Sequence, residues 1–404
     1  MGASVRALRL PGLPRLAGAL TLAELGETLA AIALAVVVFG RSGSVLATGA
    51  FFVAARLGPA FASQPLSALI DRVAGRRGLA FCFVAEAILF ALLALPLPVP
   101  VLILVPLATG TVAVCCRSVT RAEAAVRLTR AGRLRDGNSG LNIGFAIAGT
   151  AGAAAGGALA ALTSPAVPLL AASACFLLGA ALIVGISRAR PEADTATIFA
   201  HLREGFAHAR SDRTAMSLIA VQTAAMLGFM LVIPIEVVYA ERDLGAGAGG
   251  YGALLAAWGV GIVIGGAVFA RARSPLTALA AVASLAVAGA YFGMAIAPSL
   301  AVACGFSLLG GIGNGVQWVA VMTAVQERVP EALQVRVVGL LDAGAQLAPG
   351  LGFALGSILT ALLSARATYA IAGAATALAA IAFFVMHSRA SRAPGTTAQA
   401  AAQL

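Results

Sequence analysis

Among the acidic residues inside or at the ends of long apolar stretches, where a carboxyl group is costly to keep, four stand out. Glu24 and Glu27 lie in the run from Leu16 to Phe39, Glu86 in the run 78–97, and Glu236 near the end of the run 214–240. Glu24 and Glu27 have the i, i+3 spacing that puts both carboxyls on one face of a helix. Arg56 lies inside the apolar run that follows. The chemistry open to such a group is reversible protonation, with a nearby cation held or released as the charge changes. Glu27 is the first choice for that role. It lies about 17 Å along its helix from the arginine-bearing end, close to the middle of the run. Arg56, at similar depth, is its expected partner; a static ion pair that only orients two helices is the competing reading. Glu24 is the second candidate, nearer the helix start and partly hydrated. Glu236 sits beside Glu241, Arg242 and Asp243 and reads as a solvated rim.

The elements that hold these groups follow from composition. The chain has 404 residues, 60% of them hydrophobic and only 11% charged, with a mean hydropathy of +0.97. Soluble domains carry about 25% charged residues. Apolar runs of about 20 residues recur along the chain, each long enough to cross a bilayer. A polytopic all-α membrane protein is expected, with spans near 16–39, 46–70, 78–97, 100–116, 138–162, 166–187, 214–240, 250–270, 275–297, 299–325, 337–363 and 367–387. The runs are continuous rather than alternating, which argues against a β-barrel. The first is too long for a signal-peptide core, contains two Glu and lacks a small-residue cleavage site.

All 27 basic residues are Arg, and the net charge is +11. In a soluble protein that charge would suggest nucleic acid. Here every Arg except Arg41, Arg242, Arg366 and the intramembrane Arg56 falls in connections on one side of the proposed spans. Arginine is retained in the cytosol during insertion, so both termini are expected there, and no nucleic-acid partner is expected. By these boundaries Arg117 ends span 4 and belongs to the same topological set.

The longest polar stretch, 188–213, divides the spans six and six. Ile198, Leu202 and Phe206 recur in it at helical spacing, which suits an amphipathic surface helix. The expected organisation is an N-terminal six-helix bundle over 1–187, a cytoplasmic linker over 188–213, a C-terminal six-helix bundle over 214–392 and a disordered tail over 393–404. Two six-span halves around a cytoplasmic linker are the layout of a secondary transporter with repeated bundles.

The segment from Ser67 to Arg77, SALIDRVAGRR, lies between spans 2 and 3. It resembles the loop signature G-x-L-A-D-R-x-G-R-R of the major facilitator superfamily at Leu69, Asp71, Arg72 and the closing Gly75-Arg76-Arg77. It departs from that signature at Ser67 and by one inserted residue. Gly245 to Gly266 resembles the glycine-rich start of that superfamily's span 8, and Gly313 to Gly344 its spans 10 and 11. With LAELGETLAAIAL in span 1, the chain looks most like the drug-efflux branch that includes macrolide and siderophore exporters. The resemblance implies two pseudo-symmetric six-helix bundles and proton-coupled efflux of amphipathic small molecules from the bacterial inner membrane. It implies a monomer with no cofactor, driven by a proton gradient. Import of a small metabolite and a non-transporting sensor are the alternatives.

The resemblance also implies site residues. Asp71 would contact the start of helix 11 near Val337, where the helix dipole favours a carboxylate. Arg336 would add a cation, and Arg72 would pair with Asp136. With Arg76 and Arg77 these residues form a latch, or else serve only to hold the loop in the cytosol. Span 3 is peripheral in the family, so Glu86 is expected to be neutral or water-facing. Gly152, Gly156 and Gly157 stand where antiporters carry G-P-x-x-G-G, without the Pro, and suit close helix packing. Gln222, Asn314, Gln317, Trp318, Asp342 and Gln346 are expected either to line a substrate cavity, with Tyr251 and Trp258 adding stacking surface, or to bridge helices. The five Cys read as apolar packing residues. There is no GxxxxGK[ST] and no cluster of His with carboxylates, so neither a nucleotide-driven machine nor an enzyme is expected.

Overall fold

The computed structural model describes residues 8–56, 78–186, 226–328 and 349–390. Twelve helical segments fill these residues. We number them α1 (Leu13–Ser42), α2 (Val45–Arg56), α3 (Gly78–Leu93), α4 (Val99–Arg130), α5 (Leu134–Leu162), α6 (Ala166–Ile183), α7 (226–243), α8 (Gly247–Arg271), α9 (Leu276–Ile296), α10 (Leu300–Arg328), α11 (Pro349–Leu362) and α12 (Ala365–Ala390). Eight are long and apolar enough to cross a membrane; α2, α3 and α11 are shorter apolar helices. The linker 188–213 and the tail 393–404 lie outside the described residues.

Helix ends follow local chemistry. α1 stops at Gly43, which takes φ 59° and donates its N–H to the Phe39 carbonyl at 2.8 Å; a glycine accepts this left-handed geometry without a Cβ penalty. α4 starts after Pro98 and carries Pro106 inside it. A proline cannot donate to the carbonyl four residues back, which loosens the helix at that turn.

One boundary differs in a way that matters. The sequence places the end of span 4 at Cys116, before a run of arginines. The helix instead continues through RSVTRAEAAVRLTR to Arg130. Arg, Ala, Glu and Leu are good helix formers, and Arg127 pairs with Glu123 one turn back at 3.0 Å. Arg117 therefore sits within a helix of the bundle rather than in a connection.

In the first half, α1 packs on α4, α5 and α6, and α3 on α4 and α6; in the second, α10 packs on α8 and α9, and α9 on α12. The halves meet chiefly along α5 and α8. Close approach there depends on missing side chains. A Cβ on Gly157 would lie 2.5 Å from the Gly252 Cα, and one on Gly259 would strike Thr150. A second crossing joins α2 to α11, where Gly49 faces Ser357 and the Phe52 and Phe353 rings stand 5.5 Å apart. Both crossings lie toward the arginine-poor face. There Arg242 also reaches across the halves, donating to the Gly43 carbonyl at 2.7 Å and lying 4.8 Å over the Phe39 ring. The arginine-poor side is thus sealed by backbone-to-backbone contact and one cationic strap.

Candidate functional site

Between the halves lies a cavity of about 250 Å³. Its walls come from α1, α2, α3 and α4 on one side and from α7 and α8 on the other. Glu24, Glu27, Arg56 and Arg117 line it, with Phe51, Phe52, Phe90, Phe229, Ile233 and Tyr251 supplying apolar surface.

Arg117 organises the charges. Its Nη2 donates to Glu27 Oε2 at 2.6 Å and its Nη1 to Glu24 Oε2 at 3.3 Å. The i, i+3 spacing on α1 presents both carboxyls to one guanidinium, whose planar fork has a donor for each. The Phe145 ring of α5 lies under both Arg117 and Arg121, 5.7 Å and 5.2 Å from their guanidinium carbons. An aromatic face holds a cation by its quadrupole without neutralising it. Three side chains of the triad keep only 15 to 21% of their surface exposed, so each charge depends on the others.

The expected pairing of Glu27 with Arg56 does not form. Arg56 lines the same cavity with its side chain exposed to it, but makes no hydrogen bond or ion pair among the described residues, and Arg117 takes both carboxylates. The reason is the length of α4, which carries an arginine deeper into the bundle than a span ending at Cys116 allows. Arg117 is the residue that topological counting missed. The signal available was its place at the end of an apolar run that continues into helix-forming residues.

Other expectations fare differently. Glu86 is fully buried rather than water-facing. It turns toward α4, where the Ala113 backbone approaches it, and neither carboxyl oxygen has a well-formed hydrogen bond. Glu236 is only 4% exposed, so it is no solvated rim; it points into the second half while Glu241, Arg242 and Asp243 occupy the turn beyond it. Asn314, Gln317 and Trp318, expected either to line a substrate cavity or to bridge helices, are not among the residues that line this cavity. Trp318 is 38% exposed on the bundle surface and Gln317 is buried in packing. The cause is the glycine run of α10. Gly311 and Gly315 lie against the backbone of α8, and Gly313 against α9, so that helix is used for packing. Tyr251 does line the cavity, and Trp258 stacks between Phe229 and Tyr291 at 5.3 Å and 5.8 Å. The α5 glycines divide their work: Gly152 and Gly156 seat α5 on α1, and Gly157 meets α8. The five Cys are free thiols, four of them buried. Asp136 stands in the first turn of α5. Its expected partner Arg72, with Asp71, Arg76, Arg77 and Arg336, lies outside the described residues, as do Gln222, Asp342 and Gln346.

Comparison with known proteins agrees with this architecture. The sequence profile of the Major Facilitator Superfamily matches residues 218–403. No curated protein matches in sequence. Among solved structures, the nucleoside transporter NupG superposes with a TM-score of 0.68 at 14% identity, covering 92% of this chain and 99% of that one. A bacterial homolog of the human lysosomal transporter Spinster, in an inward-facing and occupied conformation, gives 0.69 at 15% identity over 93% and 96% of the two chains. A D-xylose–proton symporter gives 0.64 at 15% identity over 91% and 96%. The profile match covers the second half of the chain, and over nearly its whole length the chain has the fold of these solved membrane transporters.

Proposed function

We propose that the protein is a secondary transporter that exports amphipathic small organic molecules, a drug, antibiotic or siderophore, in exchange for protons. The observation that carries this reading is the Arg117 bridge between Glu24 and Glu27 in the wall of the cavity between the halves. A proton arriving on Glu27 cancels one charge and frees one arm of Arg117. A cationic substrate competes for the same carboxylates, so proton and substrate exclude one another. The freed guanidinium keeps its place over Phe145, which lets the charge move without leaving the site. An ion pair at such a depth changes its energy sharply with one proton, because water is scarce around it. That change biases two arrangements of the halves, one of which has the sealed arginine-poor face described above.

In this reading the arginine-rich face is cytosolic, by the bias of arginine to the inner side, and the bilayer is the bacterial cytoplasmic membrane. Asp71, Arg72, Arg76, Arg77, Asp136 and Arg336 remain the proposed cytosolic latch. The protein acts as a monomer and takes no cofactor. Import of a small metabolite would use the same coupling centre with the opposite direction of net movement, and the fold shared with a D-xylose–proton symporter keeps that second reading in view.

The test is transport into proteoliposomes under an imposed pH gradient, with internal pH followed as amphipathic cations, macrolides, siderophores, nucleosides and sugars are added in turn. Exchange predicts proton movement opposite to a compound of the first three classes. Glu27→Gln should slow it by roughly tenfold or more, an effect above about 1.4 kcal/mol, and Glu24→Gln by less. Proton movement in the same direction as a nucleoside or sugar would establish the import reading. No response to any compound would favour a transporter-like sensor.

A further inference from the structure

The chain has four tyrosines, and all four gather around one acid that the coupling centre does not use. Glu236 of α7 is 4% exposed, Tyr239, Tyr291 and Tyr369 are fully buried and Tyr251 is 2% exposed. Tyr251 on α8, Tyr291 on α9 and Tyr369 on α12 lie within electrostatic reach of the Glu236 carboxyl. Tyr369 stands 5.0 Å from the Tyr239 ring and 6.2 Å from Tyr291, and Trp258 lies parallel to Tyr291 at 5.8 Å. Glu236 Oε2, Tyr291 OH, Tyr369 OH and Trp258 Nε1 are all buried and make no well-formed hydrogen bond among the described residues.

No cation among the described residues pairs with this acid. Arg366 approaches the cluster but is engaged elsewhere. It lies 3.5 Å from Asp243, donates to the carbonyls of Ala295 and Ala297 at 3.0 and 2.8 Å, and covers the Tyr239 ring at 5.7 Å. The Tyr239 hydroxyl is committed to the Met294 carbonyl at 2.5 Å. The remaining titratable neighbour is Cys304 of α10, on the Tyr239 side.

The backbone is irregular at this same place. α7 passes from a 3-10 turn at Ile233–Ile235 to a single α turn at Glu236–Val238 and then to a π turn at Tyr239–Asp243. Short 3-10 and π segments within a helix often mark functional hinges. Glu236 opens the single α turn that separates the 3-10 and π segments.

We propose that Glu236 is a second proton-binding carboxyl, belonging to the C-terminal half, whose loss or gain of a proton is coupled to the winding of α7. A proton is the ligand that suits a carboxyl only 4% exposed among buried rings. An ionised carboxylate buried without a partner costs several kcal/mol, so the arrangement seen suits the neutral acid. The anion becomes tolerable when Tyr369, which already approaches the carboxyl, and Tyr291 turn their hydroxyls fully to it. That turn requires movement of rings packed on α7, and the helix's mixed winding allows it. Tyr251 faces both the acid and the cavity, which gives the proton a route between them.

The role in coupling rests on the proton-exchange reading above, but the test does not. Infrared spectra of the full chain in lipid, titrated in H2O and D2O, should contain a protonated-carboxyl stretching band that shifts in D2O and fades reversibly as pH rises. Glu236→Gln should lack this component, and Glu27→Gln should keep it. Tyr369→Phe keeps the ring, removes a donor and should shift the band's frequency and its titration midpoint; it also serves if Glu236→Gln does not fold. Spectra of Glu236→Gln identical to those of the original protein would overturn the proposal. So would a Glu236 band constant at every pH where the protein is folded, or one that Tyr369→Phe leaves unmoved. A titrating Glu236 band in liposomes without gradient-driven transport would uphold the proton site and sink the exchange reading instead.

Discussion

Replacing Arg117 with Ala is expected to abolish coupled transport and to destabilise the bundle by about 3–5 kcal/mol, the usual loss when one partner of a buried pair is removed. Two carboxylates, rather than one, would be left without their cation. Arg117→Lys keeps the charge but replaces a planar fork by a point donor, so one of the two bridges is lost. It should restore most of the stability and little of the transport. The two effects separate in a triple variant, Arg117→Met with Glu24→Gln and Glu27→Gln. That variant removes the buried charges together and should recover the melting temperature while remaining inactive. Thermal unfolding in detergent beside proteoliposome transport reads both. An active Arg117→Ala protein would mean that Arg117 only orients α1 and α4.

The second large effect is expected at Gly157. A Cβ there would lie 2.5 Å from the Gly252 Cα and 2.9 Å from its backbone nitrogen. No side chain can swing aside, so α5 and α8 must separate. Gly157→Val should cost about 1–3 kcal/mol by overpacking and should open the arginine-poor face. Opening is measured as faster reaction of a membrane-impermeant thiol reagent with a Cys placed at Ala161. The control lies in the same interface. A Cβ on Gly249 would meet the Ala161 Cβ at 3.5 Å, an ordinary contact, so Gly249→Ala in the Ala161 background should be neutral, or stabilising by up to about 1 kcal/mol through helix propensity. Equal effects at the two glycines would refute the tight crossing.

The helices themselves were legible because hydrophobic length is a strong signal and the bilayer fixes it. Glu24 and Glu27 were legible for the complementary reason, since acids are rare in such runs. Their partner was not. Counting arginines as markers of the cytosolic side ends α4 at Cys116 and sets Arg117 aside, although the same residue type serves topology and ion pairing alike. Glu236 was misread for a similar reason. Its sequence neighbours Glu241, Arg242 and Asp243 are polar, but the winding change in α7 turns Glu236 inward while they face the turn. No periodicity announces a π turn. For the polar residues of α10, polarity within a span suggests either a lumen or a bridge between helices. The glycines between them, Gly311, Gly313 and Gly315, were the better guide, since they mark where backbones meet.

The most direct test of proton coupling at the Arg117 bridge is proton release on substrate binding, followed with a pH indicator in weakly buffered detergent solution. Once a transported compound is identified, binding to the original protein should release protons. Glu27→Gln should release fewer, and the Glu24→Gln, Glu27→Gln double variant, given enough compound to offset its weaker binding, should release none from this site. Release from the double variant at the original level would show that the proton is carried elsewhere, and the Arg117 bridge would be a structural ion pair only.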